Sequence, residues 1–141
     1  MIDSPQQRVD AACAALGRSA VVACCRDLLA GRPPDDVVLA ALGGPGLAHV
    51  LSDESGTNDY WLRVWGARGL LWAWDPVALP ELLAGTTDPA WRVREMVAKV
   101  VARHRVDEAL DVVAALRADA VPRVRAAAER ALSRLAAPPT P

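Results

Sequence analysis

Four residues past the middle of the chain, Asp88, Arg92, Val93 and Arg94, recur as Asp119, Arg123, Val124 and Arg125, every pair 31 residues apart. This fixed offset limits the possible folds more than any other feature. A unit of about 30 residues is one supersecondary element, too small to bury an apolar face alone, so its copies must stack on one another. A weaker third copy lies upstream, with Leu62 and Arg63 one offset before Val93 and Arg94, and Leu70 before Val101 and Leu132. The chain reads as an array of stacked helical hairpins.

Composition agrees. Apolar residues make up 52% of the 141, aromatics only 4%, and Phe is absent, so Ala, Val and Leu must build close helix contacts in one domain. The net charge of −1 is unevenly shared: 4 Arg face 8 acidic residues up to Tyr60, and 12 Lys plus Arg face 9 acidic residues beyond it. A nucleic-acid binder usually carries a larger basic excess, although a local stripe can serve. No apolar run approaches the roughly 20 residues of a membrane span. Met1-Ile2-Asp3-Ser4 lacks the blocks of a signal peptide, so a cytoplasmic location is expected. Cys13, Cys24 and Cys25 are odd in number and lack C-x-x-C spacing. They are expected to be small buried hydrophobes, with a redox or metal role as the alternative.

One α-solenoid domain is expected over residues 1–137, with irregular N-terminal helices over 4–42, repeats over 45–74, 76–104 and 106–136, and a disordered tail over 138–141. Ser4, Pro5 and Gln7 form a helix start of the capping-box type, and that helix should reach Leu16 before Gly17. Helices follow from Ser19 to Ala30 and from Asp35 to Leu42, a degenerate first unit with a cap. The first repeat should pair a helix near Leu47 to Ser52 with one from Asp59 to Trp74 across a polar loop over 53–58. The second pairs Pro76–Ala84 with Ala90–His104, and the third Val106–Ala118 with Pro122–Ala136.

The run Leu79-Pro80-Glu81-Leu82-Leu83, then Asp88-Pro89, then Val93-Arg94 with Val97, Val100 and Val101, resembles the consensus of a HEAT repeat. The likeness is good from Val77 to Leu135, fair from Pro45 to Trp74, where Thr57 takes the place of the turn Asp, and poor before Gly43. It implies an all-α, right-handed α-α superhelix of stacked antiparallel helical hairpins. It also implies that the second helices line a concave face, which in that family most often binds protein and less often nucleic acid.

The signature has a physical reading. Asp88 and Asp119 each stand six residues before an Arg, a spacing that brackets the turn and the start of the second helix. A carboxylate there can cap helix amides, and the Arg can reach that Asp or its copy in the next unit, forming a ladder. Arg63, Asp88, Arg94, Asp119 and Arg125 are therefore expected to be structural.

Another face carries the candidate contact residues. At about 100° per residue, Trp61, Trp65, Arg68 and Trp72 form a stripe apart from the core side of Leu62, Gly66, Gly69 and Leu70. Its copies are Arg92, Met96, Lys99 and Arg103, then Arg123, Ala127, Arg130 and Arg134. The partner-binding set is thus Trp61, Trp65, Arg68, Trp72, Arg92, Lys99, Arg103 and Arg130, a groove aromatic at one end and cationic along the rest. Alternatively it is an ordinary solvated face, with Glu95 and Glu129 neutralising Lys99, Arg92 or Arg130.

Neither His49 nor His104 lies in a metal motif, and no nucleotide or nucleophile fingerprint occurs, so no catalytic residue, metal or cofactor is expected. HEAT-like DNA glycosylases, with Trp61, Trp65, Arg68 and Asp59 as the analogous set, and HEAT-like bilin lyases are the remote enzyme readings. The expected function is a small non-enzymatic module binding another protein, with nucleic acid as the alternative. Self-association through the Ala-rich last helix is also open, and no membrane is involved.

Overall fold

Ser4 begins the fold with a reciprocal cap. Its side chain accepts from Gln7 N and its own amide donates to the Gln7 side chain, both at 3.1 Å. The structure, a computed structural model, describes residues 4–44, 47 and 59–138. Most of the helix expected near Leu47 to Ser52, the loop over 53–58 with Thr57, His49, and tail residues 139–141 lie outside the described residues.

Helix α1 (Pro5–Leu16) ends at Gly17, whose φ of 94° suits a residue without a side chain. Helix α2 (Arg18–Ala30) ends at a left-handed Gly31, and α3 (Asp36–Gly43) is capped by Asp35 on Val37 N and Val38 N. Helix α4 (Asp59–Gly69) is shorter than the expected 59–74. Beyond it the amides of Leu70, Leu71 and Trp72 bond three residues back, to Ala67, Arg68 and Gly69. The Leu70 carbonyl accepts from His104 Nε2 at 2.8 Å, and Gly66 and Gly69 weaken the helix locally. This tight turn buries Leu70 and Ala73 completely.

The 31-residue offset is visible in the backbone. Tight 3-10 turns at Pro76–Ala78 and Asp107–Ala109 lead into short helices α5 (Leu79–Ala84) and α7 (Leu110–Ala115). Further turns at Gly85–Thr87 and Leu116–Ala118 precede α6 (Trp91–His104) and α8 (Pro122–Ala136). The first arms are thus broken into three pieces, not the continuous helices expected. Pro80 sits in the first turn of α5, where no amide is needed, but Asp111 in the same place accompanies the same break, so proline is not its cause.

The second helices stack in chain order, α2 on α4, α4 on α6, α6 on α8, making an all-α repeat fold without a strand among the described residues. Val93, Val97, Val100 and Val101 of α6 are completely buried between their neighbours, with Val124, Ala128 and Ala131 of α8. The approach of α2 to α4 is closer. A Cβ at Gly66 would stand 2.7 Å from both Cys25 O and Leu29 N, and one at Gly69 2.5 Å from Cys25 Sγ. One offset on, Val97 and Val100 replace those glycines. No described helix is long and apolar enough to cross a membrane.

Candidate functional site

The Asp and Arg signature residues meet along the stack. Arg63 holds Asp88 with two bonds of 2.7 and 3.2 Å, and Arg94 holds Asp119 with two of 2.7 and 3.1 Å. Arg94 Nη1 also donates to Asp88 O at 2.8 Å, and Arg125 Nη1 to Asp119 O at 2.7 Å. Each turn is thus gripped by its own Arg through the backbone and by the preceding Arg through the carboxylate. The Arg94 hydrogen bonds hold the Asp119 carboxyl below its ordinary value, against the opposing effect of burial.

The carboxylates do not cap helix amides as expected. Asp88 accepts from Ala90 N and Asp119 from Val121 N, and these are the residues just before α6 and α8. They brace the turn, because Arg63 and Arg94 draw them away from the helix ends.

A second ladder, of rings and cations, crosses the starts of the second helices. The Arg92 guanidinium lies 4.5 Å from the Trp91 ring centroid and 5.4 Å from that of Trp61, and Arg123 lies 5.3 Å from Trp91. Tyr60 and Trp61 rings are 4.9 Å apart. A cleft of ≈ 220 Å³ opens beside them, lined by Tyr60, Pro89, Ala90, Trp91 and Arg92. Trp91 is absent from the stripe read in the sequence because it precedes that stripe by one residue. The missed signal is an aromatic recurring at the offset, Tyr60 then Trp91.

Glu95 is only 6% exposed, with Oε2 accepting from Arg123 Nε at 2.9 Å and Oε1 3.9 Å from Lys99 Nζ. It therefore counters Lys99 and Arg123 and not Arg92. Glu129 turns to Arg117 at 2.9 Å and not to Arg130. Arg103 and Arg130 are exposed and have no carboxylate partner among the described residues.

The rest of the stripe is less regular. Trp65 and Arg68 are half-buried, and burial together with nearby Arg8 lowers the Arg68 pKa. Trp72 lies in the turn after α4, so helical periodicity does not align it with Trp61 and Trp65. Ala127, projected onto the same face, is 1% exposed and joins Val124, Ala128 and Ala131 in the core, because α8 turns that position toward its neighbours. The side chain of Asp59 lies outside the described residues. Trp74 stacks on His104 at 5.3 Å, away from the cleft lining.

Cys24 and Cys25 are buried and Cys13 half-buried. Burial pushes the Cys24 thiol up to about 11 and that of Cys25 further still. No group of three or more His, Cys, Asp or Glu among the described residues is placed to hold a metal ion. A family model described as HEAT repeats matches residues 45–133. No curated protein and no solved structure gives a significant match.

Proposed function

Since the chain belongs to the HEAT-repeat family, a helical-repeat architecture that generally serves protein interaction, we propose that it is a small non-enzymatic module binding a protein partner through the inner face of its second helices. The observation that carries this reading is the column Trp61, Arg92, Trp91 and Arg123, which joins three successive units through aromatic and guanidinium groups. Trp and Arg dominate interface energies because each offers large, preorganised contact area with a polar edge. Arg103 and Arg130 extend the face with uncompensated charge.

Self-association through the α8 end has less support. The position that is completely buried Ala98 in α6 is exposed Glu129 in α8, and covering that face with a second copy would desolvate a carboxylate.

The test uses Arg103→Glu combined with Arg130→Glu, chosen because neither side chain has a carboxylate partner to lose among the described residues. Immobilised wild type should retain a defined protein from an extract of the source cells, and the double variant should lose it. Neither should bind fluorescent single- or double-stranded DNA at physiological salt. DNA binding that persists at that salt and disappears in the variant would replace the protein reading with the nucleic-acid one.

A further inference from the structure

The cleft beside Trp91 combines apolar walls with surplus positive charge. Tyr60 and Trp91 flank it, Pro89 and Ala90 line it, and Arg92 stands at its rim. A closed apolar cavity of about 150 Å³ accepts benzene, so ≈ 220 Å³ gives room for one aromatic or branched aliphatic side chain. Arg123 beside it is paired with Glu95, and Asp88, whose carboxylate accepts from Ala90 N, is paired with Arg63, so among the described residues the surplus positive charge at the cleft is that of Arg92.

Arg92 is the group best placed to recognise a ligand. Its guanidinium lies over two rings and donates no hydrogen bond among the described residues. A guanidinium stacked on a ring keeps its N–H edge for in-plane bonds to a carboxylate.

From this charge complementarity we infer that the cleft binds an extended acidic peptide, seating one apolar side chain between Tyr60 and Trp91 and a neighbouring carboxylate on Arg92. The inference rests on the protein-binding reading above and names its partner's chemistry. Single-stranded nucleic acid also suits rings and cations. Here, however, Trp91 already carries two guanidinium groups over its ring, so a stacking base must displace one.

The test titrates the full chain with a blocked pentapeptide of four glutamates around a central leucine, with its lysine counterpart, and with a short oligothymidylate, followed by tryptophan fluorescence. The glutamate peptide should bind at least about tenfold more tightly than either control. Arg92→Gln should weaken it about tenfold, the loss of one charge-assisted contact. Tyr60→Ala, checked for folding by circular dichroism, should weaken it comparably, while Arg18→Gln, at an exposed position of α2 outside the proposed face, stays within about twofold. No glutamate-peptide binding at millimolar concentration, equal binding by Arg92→Gln, or tighter binding of oligothymidylate each overturns the inference. Any of these beside intact capture that depends on Arg103 and Arg130 refutes the cleft alone and leaves the wider reading standing.

Discussion

Asp119→Ala removes one of the two equivalent carboxylates of the Asp-Arg ladder. It deletes two bonds from Arg94 and one from Val121 N, at 2.7, 3.1 and 2.9 Å. The Arg94 side chain, 17% exposed, keeps its bonds to Asp88 O and Pro89 O but loses its only carboxylate among the described residues. Breaking a fully buried pair costs about 3–5 kcal/mol. Allowing for residual solvent at Arg94 and its surviving carbonyl bonds, the expected loss is about 2–3 kcal/mol, comparable with one orphaned buried donor plus one weakened charge. At this chain length that lowers the melting temperature by roughly 5–12 °C.

The pH dependence has a definite sign. The folded pKa of Asp119 lies below its unfolded value, so its contribution is present above the ordinary carboxylate range and disappears as pH falls through the folded pKa. Urea unfolding followed by circular dichroism at neutral pH and near pH 3 should therefore separate wild type from Asp119→Ala clearly at neutrality and much less in acid. A stability change under about 0.5 kcal/mol at neutral pH, or an equal difference at both values, refutes the ladder as a stabilising element.

Other consequences can be measured on the same preparation. Gly66→Ala should destabilise by about 1–3 kcal/mol despite the better helix propensity of Ala, because its Cβ meets backbone atoms of α2 that cannot move separately; unchanged or higher stability in urea contradicts the close approach. Cys24 and Cys25 should resist iodoacetamide in the native state at mildly alkaline pH and react fully after unfolding, since burial keeps both as thiols; fast native alkylation of either disproves their burial. His104, its pKa lowered chiefly by burial, should make stability decline as pH falls below about 6.5. His104→Gln should flatten that decline, and an unaltered pH profile removes His104 as its source.

The architecture was legible because the offset is a property of sequence that backbone geometry repeats. The starts at Pro76, Leu79, Gly85 and Trp91 recur at Asp107, Leu110, Leu116 and Pro122. The finer errors share a cause, the neglect of neighbours. Periodicity extends α4 through Trp74, but the bond between His104 and Leu70 O belongs to another helix, and with it Trp72 leaves the stripe. Pairings within one helix suggested Glu129 beside Arg130, whereas a residue twelve positions earlier, Arg117, takes it. Ala127 carries no charge or bulk to mark its side, and packing against α6 decides it. Trp91 bears no such mark in the sequence, since its own column of Tyr60, Trp91 and Pro122 carries no cation.

The most direct test of the ring-and-cation column as a contact surface is a two-dimensional NMR titration of the protein with the glutamate–leucine peptide, read at the five tryptophan indole N–H signals. The indoles of Trp61 and Trp91 should shift in step with saturation, and that of Trp74, stacked on His104 away from the cleft lining, should stay in place. Shifts centred on Trp74, or saturating binding that leaves Trp61 and Trp91 unmoved, contradict the column as the contact surface.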